Sequence, residues 1–325
     1  MATLETTFAG LKLKNPIIVS SSGLTDSAAK NQKLFEAGAG AIVLKSLFEE
    51  QIMMEADWQG DPNMYPEGSD YLVGYIREHK LGEYLNLIKE SKKVCNIPII
   101  ASINCYQNAD WVDFASKIEE AGADALEINI LALQTEVQYS YGSFEQRHID
   151  ILSHIKKTVK IPVIMKLGDN LTNPIALINQ LYANGAAAVV MFNRFYQPDI
   201  NIEKLAQVPG NVFSNEADLS NSLRWVGIAS AMVDKLDYAV SGGIHSPEGV
   251  VKAILAGASA VEVCSVLYQK SISTIAEYTH FLDSWMQRKG MNHINQFKGM
   301  LNIKDEKGVN IFERTQFLKY FSSHQ

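Results

Sequence analysis

Cysteine is scarce in this 325-residue chain: Cys95, Cys105 and Cys264 are the only three, and no C-x-x-C joins them. Such spacing supports neither a disulfide framework nor a zinc or iron–sulfur site built from this chain alone. Long apolar runs are missing as well. No stretch of about 18 uninterrupted apolar residues occurs, and the opening MATLETTFAGLKLKNP holds no signal-type apolar core. The expectation is a soluble, cytoplasmic protein with no membrane partner. Dense Lys/Arg runs are absent and the net charge is −7, which argues against a nucleic-acid partner. Nothing reads as a linker, so residues 1–325 are expected to form a single domain.

What is present is rhythm. Eight short β-rich runs recur: IIVS (17–20), AIVL (41–44), PIIASI (98–103), ALEIN (125–129), PVIMK (162–166), AVVMF (188–192), YAVS (238–241) and AVEVC (260–264). Runs with no polar face suit parallel strands buried on both sides. EAGAGAIVLK, EAGADALEIN, ANGAAAVVMF and LAGASAVEVC each place a glycine about three residues before a strand, where a left-handed residue would end a helix. Helical segments such as 110–121 and 247–256 fill the gaps, the second opening on Ser246 as N-cap and Pro247 at the first helical position. The pattern predicts a (β/α)8 TIM barrel. Segments 46–84, 130–147 and 193–223 are too long for simple connections. They are expected as insertions at the C-terminal mouth, the first as a lid and the third with a protruding hairpin. Residues 290–325 remain as a C-terminal packing arm.

Active sites of such barrels lie at the C-terminal ends of the strands. Lys166, an ammonium closing an apolar run, is therefore expected at the mouth. The other strand ends are polar too: Ser20 and Ser21, Lys45 and Ser46, Asn104, Asn129, Asn193, Gly242 and Gly243, Cys264 and Ser265. The loops after strands seven and eight often hold phosphate in this fold. Gly242 and Gly243 would let backbone approach an anion, and Ser265 adds a hydroxyl; the alternative is a tight turn without a ligand. Lys45 and Lys166 across the mouth match a ligand with delocalised negative charge, such as a reduced flavin. Lys45 also suits a plain surface position, and Lys166 also suits Schiff-base chemistry.

FAGLKLKNPIIVSSSG, GAIVLKS, EEAGADALEIN, PVIMKL, FNRF and SGGIHSPEGVVKAILAGASAVEVCS, in that order, resemble the signatures of the soluble, FMN-containing dihydroorotate dehydrogenases, most closely a branch described as dihydroorotate dehydrogenase-like. The resemblance covers nearly the whole chain. It implies an FMN site in which Ser20 and Ser21 pack backbone against the ring and Lys45 and Ser46 meet its edge. Asn129 and Asn193 would reach flavin and substrate, Lys166 would stabilise the reduced ring, and Gly242, Gly243, Cys264 and Ser265 would hold the phosphate. The family usually has glycine where Cys264 stands. Hydride transfer between flavin and a C–C bond of a small cyclic, pyrimidine-like substrate follows from the likeness, as does a homodimer.

One part of the pattern departs from that family. Its catalytic base lies in a motif resembling Asn-x-Ser-Cys-Pro-Asn just past strand four, where this chain reads Asn129-Ile130-Leu131-Ala132-Leu133-Gln134. Ala132 at the base position cannot accept a proton, and losing a general base typically costs roughly 10²–10⁴-fold. The asparagine-rich substrate loop has no counterpart in 51–75. Cys105 is a candidate replacement base or an inert cysteine. Tyr139, Tyr141 and His148 suit packing better than catalysis, and Ser143 reads as a helix N-cap with Gln146 completing a capping box. Arg194 is either a clamp for a substrate carboxylate or the partner of Asp199. His245 either touches phosphate or merely precedes a helix. Two other readings stay open: a flavin-binding protein without dehydrogenase activity, and a lysine aldolase.

Overall fold

Runs without a polar face become strands only where both faces are covered, and all eight expected runs do so. The computed structural model describes residues 2–48, 66–104, 111–305 and 312. An antiparallel hairpin comes first, β1 (Thr6–Phe8) with β2 (Leu11–Leu13). Then follow β3 (Ile17–Val19), α1 (Ala28–Glu36), β4 (Ala41–Val43), a short β5 (Leu47–Phe48) and α2 (Pro66–Val94). Next are β6 (Ile99–Asn104), α3 (Trp111–Glu120), β7 (Ala125–Asn129), α4 (Ser143–Thr158), β8 (Val163–Gly168) and α5 (Pro174–Ala183). After β9 (Ala188–Asn193) comes a hairpin of β10 (Pro198–Asn201) and β11 (Ala206–Pro209). The chain continues with α6 (Leu219–Met232), β12 (Asp237–Ser241), α7 (Pro247–Ala256), β13 (Ala260–Val263), α8 (Ser265–Gln269) and α9 (Thr274–Arg288).

Parallel pairing runs β3–β4–β6–β7–β8–β9–β12–β13 and returns to β3, so the sheet closes into a (β/α)8 barrel. The four helix-ending glycines, Gly38, Gly122, Gly185 and Gly257, all have positive φ, between 89° and 118°, a conformation that a Cβ would strain. Pro247 opens α7 behind Ser246, as expected, although the serine side chain makes no capping bond. The N-cap of α4 is a correction: Gly142, with φ of 86°, takes that place and Ser143 is the first helical residue.

Side chains alternate inward and outward along each strand, which divides the apolar core in two. The outer part lies between strands and helices. The inner part fills the barrel floor with Ile18, Val43, Ile100, Ile164 and Val190 among small alanines, and Phe8 of the entry hairpin plugs it from below. Two residues higher along the same strands the inward positions turn polar: Ser20, Ser102, Glu127, Lys166 and Glu262. A second step reaches the mouth at Asn104, Asn129 and Cys264. The insertions that follow β7 and β9 leave the barrel at this end. The β10–β11 hairpin protrudes, with Ile200, Ile202 and Leu205 exposed. The expected lid segment is helical from Pro66 onward, and 49–65 lie outside the described residues. The arm after α9 packs Ile294 and Phe297 into the core. It is tied down by the Gly299 and Leu301 N–H groups donating to the Ile254 and Leu255 carbonyls.

Candidate active site

A cavity of about 400 Å³ opens at the C-terminal mouth, within the size range of small-molecule sites. Of the residues predicted from the strand ends, Ser20, Ser21, Ser46, Asn129, Lys166 and Asn193 line it together with Gly242, Gly243, Cys264 and Ser265. Arg194 is part of the lining as well. Lys45 is exposed and is not part of the lining. The irregular backbone between β4 and β5 turns Ser46 inward in its place. Cys105 lies outside the described residues. Ala132 is half-buried beside the cavity rather than on its wall, and its carbonyl accepts from Asn170 Nδ2 at 2.8 Å.

Lys166 requires a correction to its expected place. β8 runs on to Gly168, so the ammonium sits one layer below the mouth, buried, rather than at the strand tip. Its Nζ lies 2.5 Å from Glu262 Oε2, 3.0 Å from Ser20 Oγ and 3.6 Å from Glu127 Oε1. Both carboxyl side chains are 1% exposed. Burial alone would lower the Lys166 pKa, but Glu127 and Glu262 outweigh it and hold the group as an ammonium. The same ammonium overcomes burial at Glu262 and keeps that carboxyl below the usual range. Glu127 goes the other way: burial and the charge of Glu262 raise it well above the ordinary value, against the pull of Lys166. One ammonium between two buried carboxyls thus favours the ionised form of Glu262 and the protonated form of Glu127, a combination that makes the cluster neutral. Glu127 Oε2 and Glu262 Oε1 are both buried and have no hydrogen-bond partner among the described residues.

Around this cluster the polar groups are tightly interlocked. Asn193 Nδ2 donates to Asn129 Oδ1 at 3.0 Å, which fixes both carboxamides at the wall. Arg194 neither pairs with Asp199 nor stands free: Nη1 donates to the Asn211 and Val212 carbonyls, each at 2.9 Å, and Nε lies 3.7 Å from Asp218. Ser214, which the sequence did not mark, shares a hydrogen bond with His245 Nε2 at 2.9 Å, and its N–H donates to Ser265 Oγ at 3.0 Å. Burial lowers the His245 pKa, which favours the neutral ring. Gly242 has φ of 87°, and a Cβ there would meet nothing within 4 Å, so bare backbone faces open space. Gly243 is confined differently, because a Cβ would collide with the Leu219 backbone.

These features pass the test for a flavin mononucleotide at the phosphate end, where bare glycine backbone and a serine hydroxyl face the cavity. Asparagine carboxamides and, one layer down, an ammonium line the same cavity, as a polar ring edge requires. Glu127, Glu262, Ser102 and Ser214 were missed in the sequence. A glutamate at an inward register inside ALEIN or AVEVC is the same signal that singled out Lys166. Among the described residues no group of three His, Cys, Asp or Glu is placed to hold a metal ion, and no helix is long and apolar enough to cross a membrane.

The family model described as "Dihydroorotate dehydrogenase" matches residues 3–284. Among curated proteins, the chain is 30% identical over 308 residues to "Dihydroorotate dehydrogenase B (NAD(+)), catalytic subunit" of Thermoplasma volcanium, covering 92% of this chain and 99% of that protein. Proteins of the same description from Methanosarcina mazei and Methanocaldococcus jannaschii are 28% and 23% identical. They cover 90% and 91% of this chain and 94% and 97% of their own lengths.

Proposed function

We infer that this chain, which belongs to the dihydroorotate dehydrogenase family, is a flavin oxidoreductase that holds FMN in the mouth cavity and acts on a CH–CH bond of a small cyclic substrate other than dihydroorotate. The observation that carries the reading is the cavity wall itself. Its flavin-type elements, Asn129, Asn193, Lys166 and the Gly242–Gly243 backbone, share one cavity, while position 132 offers no group that takes a proton. Bound FMN would supply hydride acceptance and donation. The chain's own residues do the rest. Gly242, Gly243 and Ser265 would hold the phosphate, and Asn129 and Asn193 would orient ring and substrate through their mutual hydrogen bond. Lys166 sets the charge beneath them. Because Glu262 already matches that ammonium, any negative charge on the ligand competes with a carboxylate 2.5 Å away. The lysine-aldolase alternative is disfavoured by the same contact, since imine formation requires a neutral amine and these carboxyls keep Lys166 protonated.

The relatives are named as catalytic subunits, and we extend that to an oligomeric assembly here, a homodimer by family resemblance. The visible spectrum of the purified protein tests the cofactor, and anaerobic addition of dihydroorotate tests the substrate. Flavin bands that ignore dihydroorotate but bleach with a chemical reductant are expected. Absence of flavin bands after reconstitution with FMN overturns the cofactor, and bleaching by dihydroorotate at a turnover-competent rate overturns the substrate reading.

A further inference from the structure

A line of hydroxyls runs from the buried carboxyl pair to the cavity. Ser102 Oγ donates to Glu127 Oε1 at 3.5 Å, the longest link. Ser102 Oγ meets Ser46 Oγ at 2.7 Å, and Ser46 Oγ meets Ser21 Oγ at 2.9 Å, with either oxygen able to donate in both contacts. Ser21 stands half-buried on the cavity wall, anchored by the Ser46 N–H at 2.8 Å. The inner end is anchored as well: Tyr84 of α2 accepts from the Ser102 N–H at 2.7 Å and donates to its carbonyl at 3.0 Å.

We propose that Ser102, Ser46 and Ser21 form a proton relay joining the Glu127–Glu262 pair to the cavity, delivering the proton that no group at position 132 can handle. The use made of the proton rests on the oxidoreductase reading; the relay does not. Three serines from different segments have no need to touch in series for stability. The two serine–serine links can run in either direction, and the inner link reverses when Glu127 carries its proton on Oε1, the oxygen that faces Ser102. The groups facing Glu127 are Ser102 on β6, Lys166 on β8, Glu262 on β13 and Tyr84 on α2, with Cys264 beside Lys166.

In delivery, the Ser21 O–H bond breaks as its proton passes to a basic atom in the cavity. Ser21 is refilled by Ser46, Ser46 by Ser102, and Ser102 by the Glu127 carboxyl. One O–H bond is lost at Glu127 and one bond to hydrogen forms in the cavity. The negative charge is left on Glu127, 3.6 Å from the Lys166 ammonium. Return of a proton along the same path restores the neutral cluster. A site resting with Glu127 protonated is loaded as an acid. It therefore favours protonating a carbon of a C=C bond over removing a proton from C–H.

The test is infrared spectroscopy of the full chain as purified, following the protonated-carboxyl C=O band after mixing into D₂O. A band present at pH 7 and lost in Glu127→Gln is expected. Its deuterium shift should slow at least tenfold in Ser102→Ala and in Ser46→Ala, and Ser102→Thr should restore the rate. No such band at pH 7, or unchanged exchange in both alanine variants, overturns the relay. Flavin content is read separately from the visible spectrum, so a chain without flavin would sink the cofactor reading and leave the exchange result standing.

Discussion

Replacing Glu127 with glutamine should make the protein more stable, and increasingly so as the pH rises. The side chain keeps its shape: an amide oxygen can still accept from Ser102, and an amide N–H₂ offers a donor where the Glu127 carboxyl oxygen has no partner. What disappears is the titration. An ordinary glutamate ionises near 4.3 in the unfolded chain, whereas burial and Glu262 raise Glu127 well above its usual value in the folded protein. Between those two values the folded state binds the extra proton, so wild-type stability falls as pH rises. The slope is about 1.4 kcal/mol per pH unit, worth up to about 3 kcal/mol over two units. Glutamine has no such term. Urea midpoints of the wild type and Glu127→Gln, measured from pH 5 to 7.5 at constant m-value, should therefore diverge in favour of the variant. Parallel midpoints, or a variant that loses ground as pH rises, would show that Glu127 is ionised in the folded protein and refute the neutral cluster.

Lys166→Met should cost about 3–5 kcal/mol, because it strands Glu262 without its counter-charge; the Lys166→Met/Glu262→Leu double variant should recover part of that loss in the same urea assay. Ala132→Cys should leave the rate with dihydroorotate within about tenfold, short of the roughly 10²–10⁴ a working base supplies, since position 132 is off the cavity wall; initial rates under anaerobic conditions decide it. Gly243→Ala forces a side chain into the left-handed region, about 1–2 kcal/mol by itself, and drives a Cβ into the Leu219 backbone. A lowered thermal midpoint together with weakened FMN retention is expected, and a variant matching wild type in both would remove Gly243 from the phosphate cradle.

The barrel was legible in the sequence because its rules are local. A strand covered on both faces admits no polar side, so IIVS, AIVL and AVVMF announce themselves, and a glycine three residues earlier marks where each helix must stop. Most of the cavity wall was legible for a related reason: polar residues at strand ends have no role in a dry core. The family likeness added a place for each, and the alanine at position 132 was visible as a gap in a motif. Other features depended on closure. Glu127 and Glu262 are ordinary letters in their strands until the barrel brings them against Lys166, the second across 96 residues of chain. Which of Lys45 and Ser46 faces inward hangs on a one-residue irregularity between β4 and β5, and a shift of one residue turns a side chain to the opposite face. Arg194 read as a substrate clamp or as the partner of Asp199 until the loop at 211–212 supplied its carbonyls. Local propensity and burial act over a few residues and can be read from them. Charge compensation among buried groups is a three-dimensional balance, so only the folded barrel decided that one lysine holds two glutamates and leaves one of them a proton.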